Sequence, residues 1–146
     1  MIRGVDHIGI AVPSIAEGRK LYEAMGLHVE AIEEVPEEGV RVAFIPLGPP
    51  GGPRIELLEP TSPESPIGKF LAKRGPGIHH VCLASDALDG DDAALRAAGI
   101  QLLRPAPTRG AGGSRVQFVH PKSAGGVLFE LAEPGESGRA EGEPAP

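Results

Sequence analysis

Residues 5–12, VDHIGIAV, are echoed by residues 78–85, IHHVCLAS. Each is answered about fifty residues downstream, by RIELLEP at 54–60 and by LFELAEP at 128–134. The first pair sets His7 against Glu56 and the second sets His80 against Glu130. The segments between them match as well: LYEAMGLHV (21–29) lies over LRAAGIQLL (95–103), and Gly26 and Gly99 each fall nineteen positions after the histidine. A repeat with two copies predicts a duplicated supersecondary unit rather than a solenoid. If the halves pack about a pseudo-twofold, two imidazoles and two carboxylates converge on one point.

Period-2 alternation places His7, Gly9 and Ala11 on one face of the first strand and Ile8, Ile10 and Val12 on the other. A histidine followed by two small residues leaves space above its own face. Pro13-Ser14 ends the strand, and Ser14 with Glu17 forms a capping-box pattern. A helix is predicted to about Met25, with Ile15, Leu21, Tyr22 and Met25 as its apolar stripe and Gly26 as its stop. Residues 27–34, 40–47 and 53–59 read as strands separated by PEEG and GPPGGP, which makes the order βαβββ. Ser65-Pro66 starts a short linker helix, with Ser65 as N-cap, that Gly75 ends; Lys69 and Lys73 on it read as a solvated face. The second copy runs through a strand at 77–84, a helix at 89–98, and strands at 100–104, 115–119 and 126–132. TRGAGGS (108–114) reads as a glycine-rich loop. The predicted fold class is α+β, with two tandem βαβββ modules forming a curved mixed sheet around one metal site. The chain forms a single domain, residues 1–132 (modules 4–60 and 77–132, linker 61–76), followed by a disordered tail, 133–146.

Composition narrows the function. Aromatics are only 3% and Trp is absent, so the core is aliphatic. One cysteine excludes an internal disulfide and fits a reducing, cytoplasmic setting. No apolar run approaches a membrane span of roughly 18 residues. The net charge is −6, of which −3 belongs to residues 133–146 (Glu133, Glu136, Glu141 and Glu143 against Arg139). That balance argues against a nucleic-acid partner.

Singly, a histidine or glutamate in a strand is weak evidence for a ligand. Four such residues at equivalent places in two repeats make a mixed N/O set suited to Co²⁺, Ni²⁺, Mn²⁺ or Zn²⁺ and too nitrogen-rich for Ca²⁺. A divalent ion open on one side acts as a Lewis acid toward a chelated substrate, and nearby carboxylates serve as bases for an α-proton. His79 shares the parity of Val81 and Leu83 and reads as structural. His28 and His120 read as ordinary strand-end residues, and Cys82 as a small wall residue.

These residues carry a resemblance. The paired βαβββ halves with His…Glu/His…Glu resemble the vicinal-oxygen-chelate superfamily, which includes glyoxalase I, extradiol dioxygenases and bleomycin-resistance proteins. Within it, the chain is similar to the methylmalonyl-CoA epimerase family over nearly all of residues 4–132. The segments that carry this are VDHIGIAV, EEGVRVAFI (37–45), IELLEP (55–60), ESPIGKFLAKRGPGIHHVCL (64–83) and GGSRVQFVHPKSAGGVLFEL (112–131). The resemblance implies one divalent metal, often cobalt, held by His7, Glu56, His80 and Glu130, and interconversion of (2R)- and (2S)-methylmalonyl-CoA through an enolate. It implies a homodimer and an acyl-CoA substrate.

One departure stands out. Several bacterial epimerases carry a second glutamate where this chain has Val42, and a glutamine where it has Glu56. With Val42 inert, Glu56 and Glu130 are expected to share proton removal and return. Lys122 and the backbone amides near Gly113 and Ser114 are the expected substrate contacts. The rival expectations are a glyoxalase I-type lactoylglutathione lyase and a non-catalytic binder of bleomycin-resistance type. LLEP after Glu56 lacks the Thr-x-Asn of the former, and the intact ligand set argues against the latter.

Overall fold

The computed structural model describes residues 1–135, and its contacts divide the chain into two compact units. One unit is His7–His79, and the other is Met1–Asp6 with the chain from His80 onward. Strand β1 (Ile2–Ala11) therefore contributes its first residues to the second unit and the rest to the first. No helix among the described residues is long and apolar enough to cross a membrane.

The first unit follows the predicted βαβββ order. Helix α1 (Ile15–Ala24) follows β1, and then come β2 (Ala31–Val35), β3 (Val40–Pro46), β4 (Arg54–Pro60) and helix α2 (Pro66–Arg74). The strands run β2-β3-β4-β1, with β3 antiparallel to both neighbours and β1 parallel to β4. One face of this sheet packs Ala43, Ile45, Ile55 and Leu57 against Val12, Ile15 and Tyr22. The opposite face gathers Ala11, Val40, Val42 and Leu58 under Ile67, Phe70 and Leu71 of α2. The contact line of α1 is narrower than its sequence suggests. Gly18 lies against Val12, so the helix packs through residues 15, 18 and 22. Leu21 is one step round the helix and Met25 is its C-cap, and both are exposed.

The start of α1 is only half a capping box. Ser14 Oγ accepts from Glu17 N at 3.3 Å, while the Glu17 carboxylate turns to Lys20. The Ile15 N–H donates instead to Glu59 Oε1 at 3.0 Å, and Glu59 Oε2 holds Arg41 directly across the sheet at 3.0 Å. A carboxylate on β4 thus does what a local side chain was expected to do.

The second unit repeats the pattern. It contains β5 (Gly77–Ser85) from His80 onward, helix α3 (Leu88–Ala97), β6 (Thr108–Arg109), β7 (Arg115–Val119) and β8 (Phe129–Glu133). The strands run β6-β7-β8-β5, with the opening residues of β1 beside β5. Again β5 and β8 are parallel and β7 is antiparallel to both its neighbours. Gly26 and Gly99 follow α1 and α3 with φ of +85° and +79°, the left-handed turn that a glycine C-cap supplies. β8 runs on through Glu133, whose carboxylate meets Arg115 at 3.3 Å. Residues 136–146 of the expected tail lie outside the described residues.

The strand expected at 100–104 is replaced by a single bridge, Leu102 to Val119, and pairing with β7 resumes only at Thr108–Arg109. The reason is the Pro105-Ala106-Pro107 run: proline cannot donate to a ladder. The carbonyls left without strand partners are taken by side chains. Gln117 Nε2 donates to Arg104 O at 3.0 Å, and Arg96 Nη2 donates to Arg104 O at 2.7 Å and to Pro105 O at 3.0 Å. Gln117 is fully buried, and its amide also donates to Asp92 Oδ2 at 2.8 Å, while Arg96 Nε donates to Asp92 Oδ1 at 2.8 Å.

Arg96, with Gln117 adding to it, holds the Asp92 carboxyl below its ordinary value. A depressed folded-state value contributes stability above the unfolded carboxyl range, lost as pH falls through the folded value. Asp92→Asn is expected to cost on the order of 1–3 kcal/mol at neutral pH. It is also expected to flatten the acid limb of stability below the ordinary carboxylate range, read as urea midpoints; parallel limbs for the two proteins would refute this.

Candidate metal centre

Strand register places the four ligand-type residues. In the first unit, Glu56 on β4 stands opposite Gly9 on β1 and opposite Phe44 on β3. His7 lies two residues before Gly9 and so faces the same side. In the second unit, Glu130 on β8 stands opposite Cys82 on β5 and opposite Phe118 on β7, with His80 two residues before Cys82. The two arrangements correspond residue for residue.

Each unit brings its own pair together. His7 Nδ1 lies 3.0 Å from Glu56 Oε2, and both side chains are about 95% buried. His80 Nε2 lies 2.9 Å from Glu130 Oε2, with both about nine-tenths buried. A buried carboxylate is costly without a cationic or hydrogen-bonding partner, and Glu56 and Glu130 are both buried. The donor set fits a divalent metal. Imidazole nitrogens and carboxylate oxygens are ligand types that cobalt, nickel, manganese and zinc accept.

Glu56 has a further partner that sequence reading did not single out. Arg54 Nε and Nη2 reach Glu56 Oε2 at 2.9 and 2.7 Å, and the guanidinium stacks over the Phe44 ring, 5.5 Å from its centroid. A carboxylate offers about four lone-pair directions, so Oε2 can hold Arg54 and His7 while Oε1 serves another ligand. In the second unit Phe118 also carries an arginine, Arg104, at 4.7 Å, and its ring meets His80 edge-on with centroids 6.4 Å apart. The pattern RVAF (41–44) against RVQF (115–118) was the available signal for both phenylalanines, and for the Arg41–Glu59 and Arg115–Glu133 pairs.

The remaining expected residues fall as follows. Val42 is buried between Leu58 and Ile67, on the Glu56 face. Cys82 occupies the place of Gly9 and is fully buried in an apolar cluster with Val116 and Ala132. His79 packs edge-on against Phe70 of α2 at 5.0 Å, a structural role. His120 caps the turn Pro121–Ser123, its Nδ1 accepting from Lys122 N at 3.0 Å. Lys122 itself is exposed. Gly113 is exposed and Ser114 half-buried in the turn that Gly112 and Gly113 permit, with φ of +68° and +74°.

The fold is that of a known superfamily. The chain belongs to the Glyoxalase/Bleomycin resistance protein/Dioxygenase superfamily, which it matches over residues 6–118. Within it the chain is similar to proteins named methylmalonyl-CoA epimerase. The mitochondrial enzyme of Dictyostelium discoideum is 40% identical over 88% of this chain and 77% of its own. The ethylmalonyl-CoA/methylmalonyl-CoA epimerase of Cereibacter sphaeroides is 38% identical over 91% of this chain and 99% of its own. A solved methylmalonyl-CoA epimerase in complex with methylmalonyl-CoA and NH4+ superposes with a TM-score of 0.88 at 38% identity, covering 96% of this chain and all of that one.

Arg54→Met removes the cation from a buried carboxylate. In metal-free protein it is expected to cost about 1–3 kcal/mol, less than a wholly buried pair because Arg54 reaches solvent. Cobalt or zinc is expected to recover part of that loss by replacing the missing positive charge. Thermal melts of both proteins with and without the ion check this; equal melting temperatures for the two metal-free proteins would refute it.

Proposed function

We propose that this chain is a metal-dependent methylmalonyl-CoA epimerase that interconverts the (2R) and (2S) epimers by α-proton removal and return. The observation that carries this reading is the duplicated, buried His–Glu pair at matching register in a chain whose relatives bear that activity. His7, Glu56, His80 and Glu130 would hold one divalent ion, with cobalt the preferred candidate. When bound, the ion supplies a Lewis acid that stabilises negative charge on the substrate's oxygens.

The chain's own residues carry the proton chemistry. Inversion at one carbon needs a proton removed on one face and returned on the other. Val42 offers no ionisable group, so the carboxylates of Glu130 and Glu56 are assigned the two transfers. The neighbouring imidazoles orient them: a carboxylate oxygen held at hydrogen-bond distance from a ring nitrogen presents its remaining lone pairs in a fixed direction. The apolar strands around both pairs exclude water, which strengthens each electrostatic contact and limits loss of the substrate carbanion to side reactions. Backbone amides near Gly113 and Ser114, with Lys122, are proposed to meet the acyl-CoA.

The test is α-proton exchange in D₂O with cobalt-loaded protein and (2R)-methylmalonyl-CoA, followed by NMR. Exchange with racemisation, abolished by EDTA, is the expected outcome. No exchange by metal-loaded protein would overturn the reading and favour a lactoylglutathione lyase; no exchange and no metal would leave a small-molecule binder. Glu130→Gln is expected to lower turnover on the order of 10²–10⁴-fold. Glu56→Gln is expected to slow epimerisation, and a variant that kept both metal and full turnover would remove Glu56 from the proton relay.

A further inference from the structure

Arg104 sits where the strand beside β7 is interrupted. Leu103 N still bonds Phe118 O at 2.8 Å, and two residues later the ladder stops at Pro105. The break is firmly built. The Arg104 carbonyl receives two side-chain donors, Gln117 Nε2 and Arg96 Nη2, and both are tied to the buried Asp92. Ladder breaks and bulges redirect a side chain, and they recur beside active sites. Here the redirected side chain is a guanidinium held over the Phe118 ring, with a further hydrogen bond to Thr108 Oγ1. Phe118 is the cross-strand partner of Glu130, and its ring touches His80. A guanidinium is thus held on the same face as the His80–Glu130 pair.

Buried polar groups are expensive unless they are satisfied, and the Asp92–Gln117–Arg96 network does nothing for the reacting atoms. What it does is hold the backbone that carries Arg104. We infer that Arg104 is a recognition residue for the acyl carboxylate of the thioester substrate, selecting dicarboxylic acyl-CoAs over neutral ones. This rests on the epimerase reading above. The shared chemistry is an anionic oxygen group, which an acyl-CoA carries both on a malonyl-type acyl group and on its phosphates. The position beside Phe118 and His80 favours the acyl end, because the pantetheine arm carries the phosphates far from the reacting carbon.

The experiment compares binding of methylmalonyl-CoA and propionyl-CoA by calorimetry, using cobalt-loaded wild type, Arg104→Met and Arg104→Lys. Propionyl-CoA carries the same CoA and lacks the carboxylate. Arg104→Met is expected to weaken methylmalonyl-CoA binding on the order of 10- to 100-fold, with propionyl-CoA affinity and the cobalt absorption spectrum unchanged. KM is expected to rise more than kcat falls. Arg104→Lys is expected to recover part of the affinity, since it restores the charge without the planar fork. Unchanged methylmalonyl-CoA binding would overturn the inference. Equal losses for both thioesters would also overturn it, assigning Arg104 to the CoA phosphates. A wild type that discriminates the two ligands but exchanges no proton would overturn the epimerase reading alone.

Discussion

Glu56 and Glu130 are carboxylates placed in the middle of apolar strands, and a carboxylate there survives only if a donor meets it. In both units an imidazole one strand away stands beside it, brought to 3.0 and 2.9 Å by parallel pairing of β1 with β4 and of β5 with β8, and Glu56 also receives the Arg54 guanidinium. Register is the constraint. A one-residue slip in either pairing would turn the glutamate to the opposite face and bury it without its histidine. The apolar alternation that packs Leu57 and Ile45 under α1 is therefore the same alternation that keeps Glu56 beside His7. Core and site are two faces of one pairing.

The outer parts of each unit hold that pairing in place. Glu59 joins Arg41 across the sheet and caps α1, and Glu133 joins Arg115, which also reaches Asp89 in the first turn of α3. These ion pairs are partly exposed, so their contribution to stability is modest. Their geometric effect is larger, since each ties a sheet to the helix that covers it.

The two copies have diverged where the chemistry asks for it. Gly9 stands opposite Glu56, whereas Cys82 takes the same place opposite Glu130. Phe44 carries Arg54, which reaches along its own strand to Glu56; Phe118 carries Arg104, delivered from a broken edge segment. Epimerisation inverts one carbon and needs two bases that approach it differently. A duplicated His–Glu pair whose surroundings differ between the copies suits the proposed epimerisation.

Much of this was legible in the chain itself. The repeat gave the βαβββ order, and its four ligand-type residues came from position alone, because equivalent places in two copies carry information that single residues lack. The resemblance carried by the same segments supplied the chemistry. Other features were not legible because they arise between residues far apart in sequence. The repeat suggested a strand at 100–104, but the two prolines that follow break it, and the orphaned carbonyls find Gln117 and Arg96 only once α3 lies against β7. The Arg54 fork on Glu56 depends on a strand conformation that sets residues two apart on one face, and the stacking of each arginine on its phenylalanine depends on cross-strand register. Sequence by itself determined the duplicated architecture and the ligand types, since both follow from local periodicity and repetition. Only the tertiary structure decided which cation stands beside which carboxylate, because long side chains choose partners among neighbours that pairing and packing create.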